Sequence, residues 1–213
     1  MCLFRFVRRL LFRDARSASV SREGQMTTIY FVRHAEPDLS QRDELQRPLT
    51  IKGRADSVRL SEYFSNEPVD YVYSSPYRRA VETVKPLAER YKKTIYLEKD
   101  FRERKIDDEW ISDYEDFLTR QWTDFLYRRS SGECLQTVQD RNVAAINMLL
   151  LKHMNKSVVV GTHENALGTI IRYYTKQFGL KEFMRVRNFR PWIVRFTFNG
   201  VDCQNVEDFC LDT

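Results

Sequence analysis

Three short runs of this chain are apolar at nearly every position: TIYFVR (28–33), VDYVYSS (69–75) and SVVVGT (157–162). A strand with one wet face alternates polar and apolar residues, so runs of this kind belong to strands covered on both faces. Helical patterns fall between them, at about 53–66, 77–91, 113–128, 134–154 and 165–178. Alternation of strand and helix predicts parallel strands with helices packed on both sides, a three-layer α/β/α sandwich with a mostly parallel central sheet. KTIYLEKD (93–100) reads as a more alternating strand. PWIVRFTFNGVDCQNVE (191–207) reads as a late strand, a turn at Asn199-Gly200 and a short partner strand.

Residues 26–213 show no repeat, low-complexity stretch or linker, and the 42% hydrophobic content of the 213 residues is ample for one packed core, so a single domain is expected there. Residues 1–25 differ. Their six arginines against Asp14 and Glu23 carry four of the five net positive charges, which leaves one for the rest of the chain. Nucleic-acid binding is therefore not expected. Met26 directly precedes the first strand, and residues 1–25 are read as a disordered or non-native extension; an organelle transit segment or a helix on an anionic membrane surface are the functional alternatives. No apolar run approaches the length of a membrane span, about 20 residues. Cys2, Cys134, Cys203 and Cys210 form no C-x-x-C pair and lie far from the histidines, so neither a metal site nor a redox motif is expected, and the default location is cytoplasmic.

In an open parallel sheet, ligands bind beyond the carboxyl ends of the strands. Two of the three histidines, His34 and His163, follow directly on strand ends, and a third strand end leads into SSPYRRA with Arg78 and Arg79. Singly, such a histidine is more often structural and such an arginine more often solvated; together at one rim they call for a function. His153, at a helix tail beside Lys152, is expected to be exposed. A neutral imidazole can attack phosphorus, and arginines supply fixed, bidentate, permanent charge for phosphoryl oxygens. Ser75-Pro76 reads as an N-cap and first-turn pair that aims a helix N-terminus at the rim. The constellation suits a phosphate.

VRHAEPD, RPLTIKG, SSPYRRAVETV, FRER and VVVGTHENAL, in that order, resemble the histidine phosphatase superfamily, also called phosphoglycerate mutase-like proteins, from Met26 to about residue 200. The resemblance implies that His34 becomes phosphorylated, that Arg33, Arg79 and His163 bind the phosphoryl group, and that Glu103 in FRER is the general acid. Apart from that resemblance, nothing local distinguishes Glu103 from Glu36, Asp107 or Glu109. Ser40 stands where many relatives carry a phosphate-touching Asn. Glu36, Glu164 and Asn165 are further substrate-facing candidates. The implied reaction is metal-independent, cofactor-free hydrolysis of a small organic phosphate through phosphohistidine.

The chain departs from the family pattern in two places. Glu164 replaces the Gly common after the second histidine, where a carboxylate either opposes the phosphate or turns toward a cation of the substrate. RKIDDEW after Glu103 lacks both the glycine and tryptophan arrangement common in small-molecule phosphatases and the R-x-Y-G pattern of true mutases. Phosphatase is thus favoured over mutase-type phosphoryl transfer, and a non-catalytic phosphate- or phosphoprotein-binding module is the remaining alternative. Trp110, Tyr114, Phe117, Trp122, Phe125 and Tyr127, at amphipathic spacing, are read as core, with an aromatic lid as the alternative.

Overall fold

The computed structural model describes residues 26–109 and 111–211; the expectations for residues 1–25 and for Trp110 lie outside the described residues. Six strands, β1 (Thr27–Arg33), β2 (Tyr71–Ser74), β3 (Ile95–Leu97), β4 (Ser157–Thr162), β5 (Trp192–Asn199) and β6 (Asp202–Cys210), form one sheet in the order β3-β2-β4-β1-β5-β6. The pairs β2–β3, β2–β4 and β1–β4 are parallel, while β5 runs antiparallel to both β1 and β6.

Because successive side chains leave a strand on opposite sides, each strand feeds two cores. Tyr30, Val32, Val72 and Val159 pack with Leu60 of α1 (Ile51–Tyr63) and with Val84 and Leu87 of α2 (Arg78–Arg90). Ile29, Phe31, Val158 and Val160 face the other way. They meet α3 (Tyr114–Thr123), α4 (Leu135–Lys152), α5 (Glu164–Tyr174) and α6 (Leu180–Val186) through residues such as Trp122, Ile146, Leu167 and Phe183. Burial on both faces is the reason the strands read as continuous apolar runs, and the expected three-layer α/β/α arrangement is observed. Phe117 and Trp122 are buried, and Trp122 stacks on Phe183 at 4.2 Å between ring centroids. The aromatic face of α3 is therefore core.

Several local expectations are corrected. Helix α6 was not foreseen, since its seven residues are too short to show a period. Strand β6 is nine residues long, not short, and the turn before it is centred on Gly200-Val201, one residue later than read, with Gly200 at φ 60°. Helix α2 begins at Arg78, so Ser75-Pro76 is not its N-cap pair. The Ser75 hydroxyl is committed elsewhere: it accepts from the Tyr77 backbone N–H at 3.2 Å and meets the His163 ring. His153 is 4% exposed, not on the surface. Its Nε2 lies 2.8 Å from the Tyr73 hydroxyl and its ring packs on Tyr71 at 3.9 Å, because the end of α4 closes over β2.

The P-L-T-x-x-G motif has a mechanical meaning. Thr50 caps α1 by accepting from the Gly53 N–H at 2.9 Å, and its own backbone N–H donates to the Glu36 carbonyl at 3.0 Å. A Cβ at Gly53 would sit 2.3 Å from that same carbonyl oxygen. Alanine is the better helix former by about 1 kcal/mol, yet Gly53→Ala must push α1 away from the loop that carries His34. We expect a net loss of roughly 1–3 kcal/mol in urea denaturation; a gain in stability would contradict this packing.

Candidate active site

Parallel pairing of β1 with β4 places Arg33 opposite Thr162, and the ladder continues one step further, with His34 N–H donating to the Thr162 carbonyl at 3.0 Å. The next residue on each strand is a histidine. The rings of His34 and His163 meet edge to face with centroids 5.2 Å apart, both buried.

The backbone around His34 is fixed on every side. Ala35 N–H donates to Thr83 Oγ1 of α2 at 3.0 Å, and Thr83 in turn donates to the Arg79 carbonyl at 2.7 Å. The Ala35 carbonyl lies 2.7 Å from His34 Nδ1. A carbonyl can only accept, so Nδ1 carries the proton and the Nε2 lone pair is left available. Burial, with Arg79 and Arg33 adding to it, holds the His34 pKa well below the usual histidine range. The ring is neutral at physiological pH. His163 is depressed in the same way by burial and then Arg79. Its Nε2 is 2.8 Å from Ser75 Oγ, while its Nδ1 has no hydrogen-bond partner among the described residues. The Tyr77 ring packs against His163 at 5.0 Å and the Arg79 guanidinium lies 4.9 Å over Tyr77.

The cations are buried and paired. Arg33, 1% exposed, donates from Nη2 to Glu164 Oε2 at 2.6 Å and from Nη1 to the carbonyls of Arg187 and Phe189. Burial lowers its pKa to about 10, against the pull of Glu164, so it stays charged. Burial pushes Glu164 above the usual carboxylate range, with Arg33 opposing. Arg187 and Arg190 also approach Glu164, at 3.6 and 4.0 Å. Glu164 is therefore turned toward protein cations, Arg33 foremost. Arg79 donates to the Glu44 carbonyl at 2.7 Å and to its carboxylate at 2.9 Å.

Glu103 sits at the N-terminus of α5. Its carboxylate accepts from the backbone N–H groups of Asn165 at 3.0 Å and Ala166 at 3.3 Å, where the helix dipole favours negative charge. It is within electrostatic reach of both Arg33 and Arg79. Asn165 bridges, accepting from Trp122 Nε1 at 3.1 Å and donating toward Glu103 at 3.4 Å.

The fold thus brings together His34, His163, Arg33, Arg79, Glu103, Glu164 and Asn165. Two candidates are engaged elsewhere. The Glu36 carboxylate accepts from the Thr50 hydroxyl at 2.9 Å, and Ser40 is exposed on the 38–48 loop with its N–H on Asp38. Sequence reasoning missed Glu44 and the role of Ser75, for which no local signal exists. It also missed Arg187 and Arg190, although the run RVRNFR (185–190) before the last strand was visible.

The family model of the histidine phosphatase superfamily (branch 1) matches residues 29–208. Phosphoglycerate mutase-like protein 4 of Arabidopsis thaliana is 29% identical over 159 residues, covering 68% of this chain and 67% of that protein. Phosphoserine phosphatase 1 of Hydrogenobacter thermophilus is 29% identical over 154 residues, covering 65% and 71%. The solved structure of Bacillus stearothermophilus YhfR superposes with a TM-score of 0.69 at 24% identity, covering 83% of this chain and 94% of that one, which is a likeness of fold.

The depressed histidines make stability pH-dependent with a definite sign. Below about pH 6.5 the unfolded chain takes up protons that buried His34 and His163 refuse, so folding weakens as pH falls, by up to about 1.4 kcal/mol per pH unit for each ring. Denaturation midpoints of the wild type and His34→Gln between pH 7.5 and 5.5 should show a shallower acid loss in the variant. Parallel profiles would mean that His34 is not held neutral by burial.

Proposed function

Since this chain belongs to the histidine phosphatase superfamily, we propose that it hydrolyses a small organic phosphomonoester through a phosphohistidine formed on His34. The observation that carries this reading is the hydrogen bond of His34 Nδ1 to the Ala35 carbonyl, which commits one nitrogen and leaves Nε2 as the nucleophile. A buried neutral imidazole is suited to attack a phosphate dianion that repels anionic nucleophiles.

In the proposed reaction, Arg79, Arg33 and His163 bind the phosphoryl oxygens as negative charge is redistributed in the transition state. The two guanidinium groups, with a hydrogen bond from neutral His163, take the place that metal ions hold at other phosphoryl-transfer sites, so the reading is metal-independent. Glu103 protonates the departing alkoxide. Water then attacks phosphorus, Glu103 takes its proton, and the P–N bond to His34 breaks to release phosphate. Ser40, Glu36, Glu164 and Asn165 are assigned no step in the chemistry. The name of the Hydrogenobacter relative, a phosphoserine phosphatase, supports hydrolysis of a phosphomonoester over mutase-type transfer. Residues 26–213 act as one catalytic domain in this reading. A cytoplasmic setting is proposed with it, in keeping with the free thiols of Cys134 and Cys203.

The test is steady-state hydrolysis of an aryl phosphate in EDTA. His34→Ala should abolish turnover, Glu103→Gln should lower kcat by roughly 10²–10⁴-fold, and Arg79→Ala should lose about 3 kcal/mol in kcat/KM. Full activity of His34→Ala, or activity that EDTA removes, would refute the proposal.

A further inference from the structure

Each arginine assigned to the phosphoryl group already carries a carboxylate partner. Arg33 is held by Glu164 and Arg79 by Glu44, and both histidines are neutral. A phosphate dianion approaching this site gains a full cationic partner only where one of these carboxylates gives way. The two differ in their freedom to do so. The Glu164 side chain is 10% exposed and lies among Arg33, Arg187 and Arg190, so displacing it would move a buried carboxylate and leave the buried Arg33 without it. The Glu44 side chain is 52% exposed, on the loop of residues 38–48.

Glu44 grips Arg79 with two different groups. Its backbone carbonyl accepts from Nη1 at 2.7 Å and its carboxylate accepts from Nη2 at 2.9 Å. The loop around it has anchors that do not depend on the carboxylate–Arg79 contact. Arg47 Nε donates to the Gln41 carbonyl at 2.8 Å, Leu45 N–H donates to Asp43 Oδ1 at 2.8 Å, and the Leu45 carbonyl accepts from the Arg78 N–H at 2.9 Å. The carboxylate can therefore leave Arg79 while the Glu44 carbonyl keeps the guanidinium oriented. Arg47 Nη1, 2.5 Å from Glu44 Oε1, is a second cation on which the released carboxylate can rest.

We propose that the Glu44 carboxylate is a displaceable counterion of Arg79, which competes with the phosphoryl group of substrate and product for the Nη2 donor and thereby sets phosphate affinity. The proposal rests on the assignment of Arg79 to phosphate in the reading above. It makes Glu44 a positioning and affinity-tuning residue. Compensating the buried Arg79 charge between turnovers, it weakens the hold on product phosphate and so favours release.

The experiment is calorimetric titration of the full chain with inorganic phosphate at pH 7.5 and low ionic strength, which needs no turnover. Glu44→Gln, which keeps an acceptor without the charge, and Glu44→Ala should each bind phosphate on the order of three- to tenfold tighter than wild type, a modest factor because the partner is half-exposed. The same variants should show KM lowered by a similar factor without a rise in kcat. In an Arg79→Ala background the Glu44 substitutions should have no effect. Unchanged or weaker phosphate binding in both Glu44 variants would overturn the proposal, as would an effect that persists without Arg79. Tighter binding combined with full turnover by His34→Ala would leave the counterion role standing and remove the phosphohistidine reading. Failure of every protein, wild type included, to bind phosphate would overturn both.

Discussion

The parallel pairing of β1 with β4 is the contact on which the rest depends. Its register sets Arg33 against Thr162, and the extra bond from His34 N–H to the Thr162 carbonyl carries the ladder to the last residue before both chains leave the sheet. Two histidines 129 positions apart in sequence thereby emerge side by side. A slip of one residue would send every side chain of β1 to the opposite face, exchanging Phe31 and Val32 between the two cores, so the apolar packing holds the register of the histidine pair. The helices then fix what the sheet has placed. Thr83 of α2 holds the Ala35 backbone, Thr50 at the N-cap of α1 holds Glu36 while Gly53 leaves room for it, and the first turn of α5 holds Glu103.

A second constraint is electrostatic. Charged guanidinium groups with almost no access to water need partners, because the desolvation penalty of an unpaired buried ion is several kcal/mol. The chain meets that need from three different places: Glu164 in the first turn of α5 for Arg33, Glu44 on a loop for Arg79, and carbonyls of Arg187 and Phe189 before β5. The same burial keeps His34 and His163 neutral. A site built this way combines neutral imidazoles with cations whose charge is compensated from within the protein, one counterion buried and the other half-exposed.

Much of this was legible in the sequence. Continuous apolar runs announce a sheet covered on both faces, and the R-H, S-S-P-x-x-R-A and T-H motifs at strand ends locate the rim. Glu103 was legible only through family resemblance, since nothing local separates it from Glu36 or Asp107; in the structure the α5 amides single it out. What stayed hidden is tertiary. Ser75 looked like a helix cap because its neighbours fit one, but its hydroxyl is used by His163 from another strand end. His153 looked exposed because Lys152 adjoins it, while the tyrosines that bury it come from β2, about 80 residues earlier. Glu164 read equally as opposing a phosphate or as turning toward a cation, because Arg33, the cation it meets, lies 131 residues away in sequence. Partners distant in sequence leave no local pattern to read.

The measurement that tests the central claim most directly is trapping of the phosphoenzyme. The protein would be mixed with a phosphomonoester in EDTA, quenched in alkali within milliseconds, digested and analysed by mass spectrometry, with His34→Ala and His163→Ala in parallel. The account predicts a phosphoryl group on the peptide carrying His34, present in the wild type and absent from His34→Ala. A phosphoryl group found on His163 or any other residue, or turnover that proceeds with no phosphoenzyme detectable at any quench time, would contradict it.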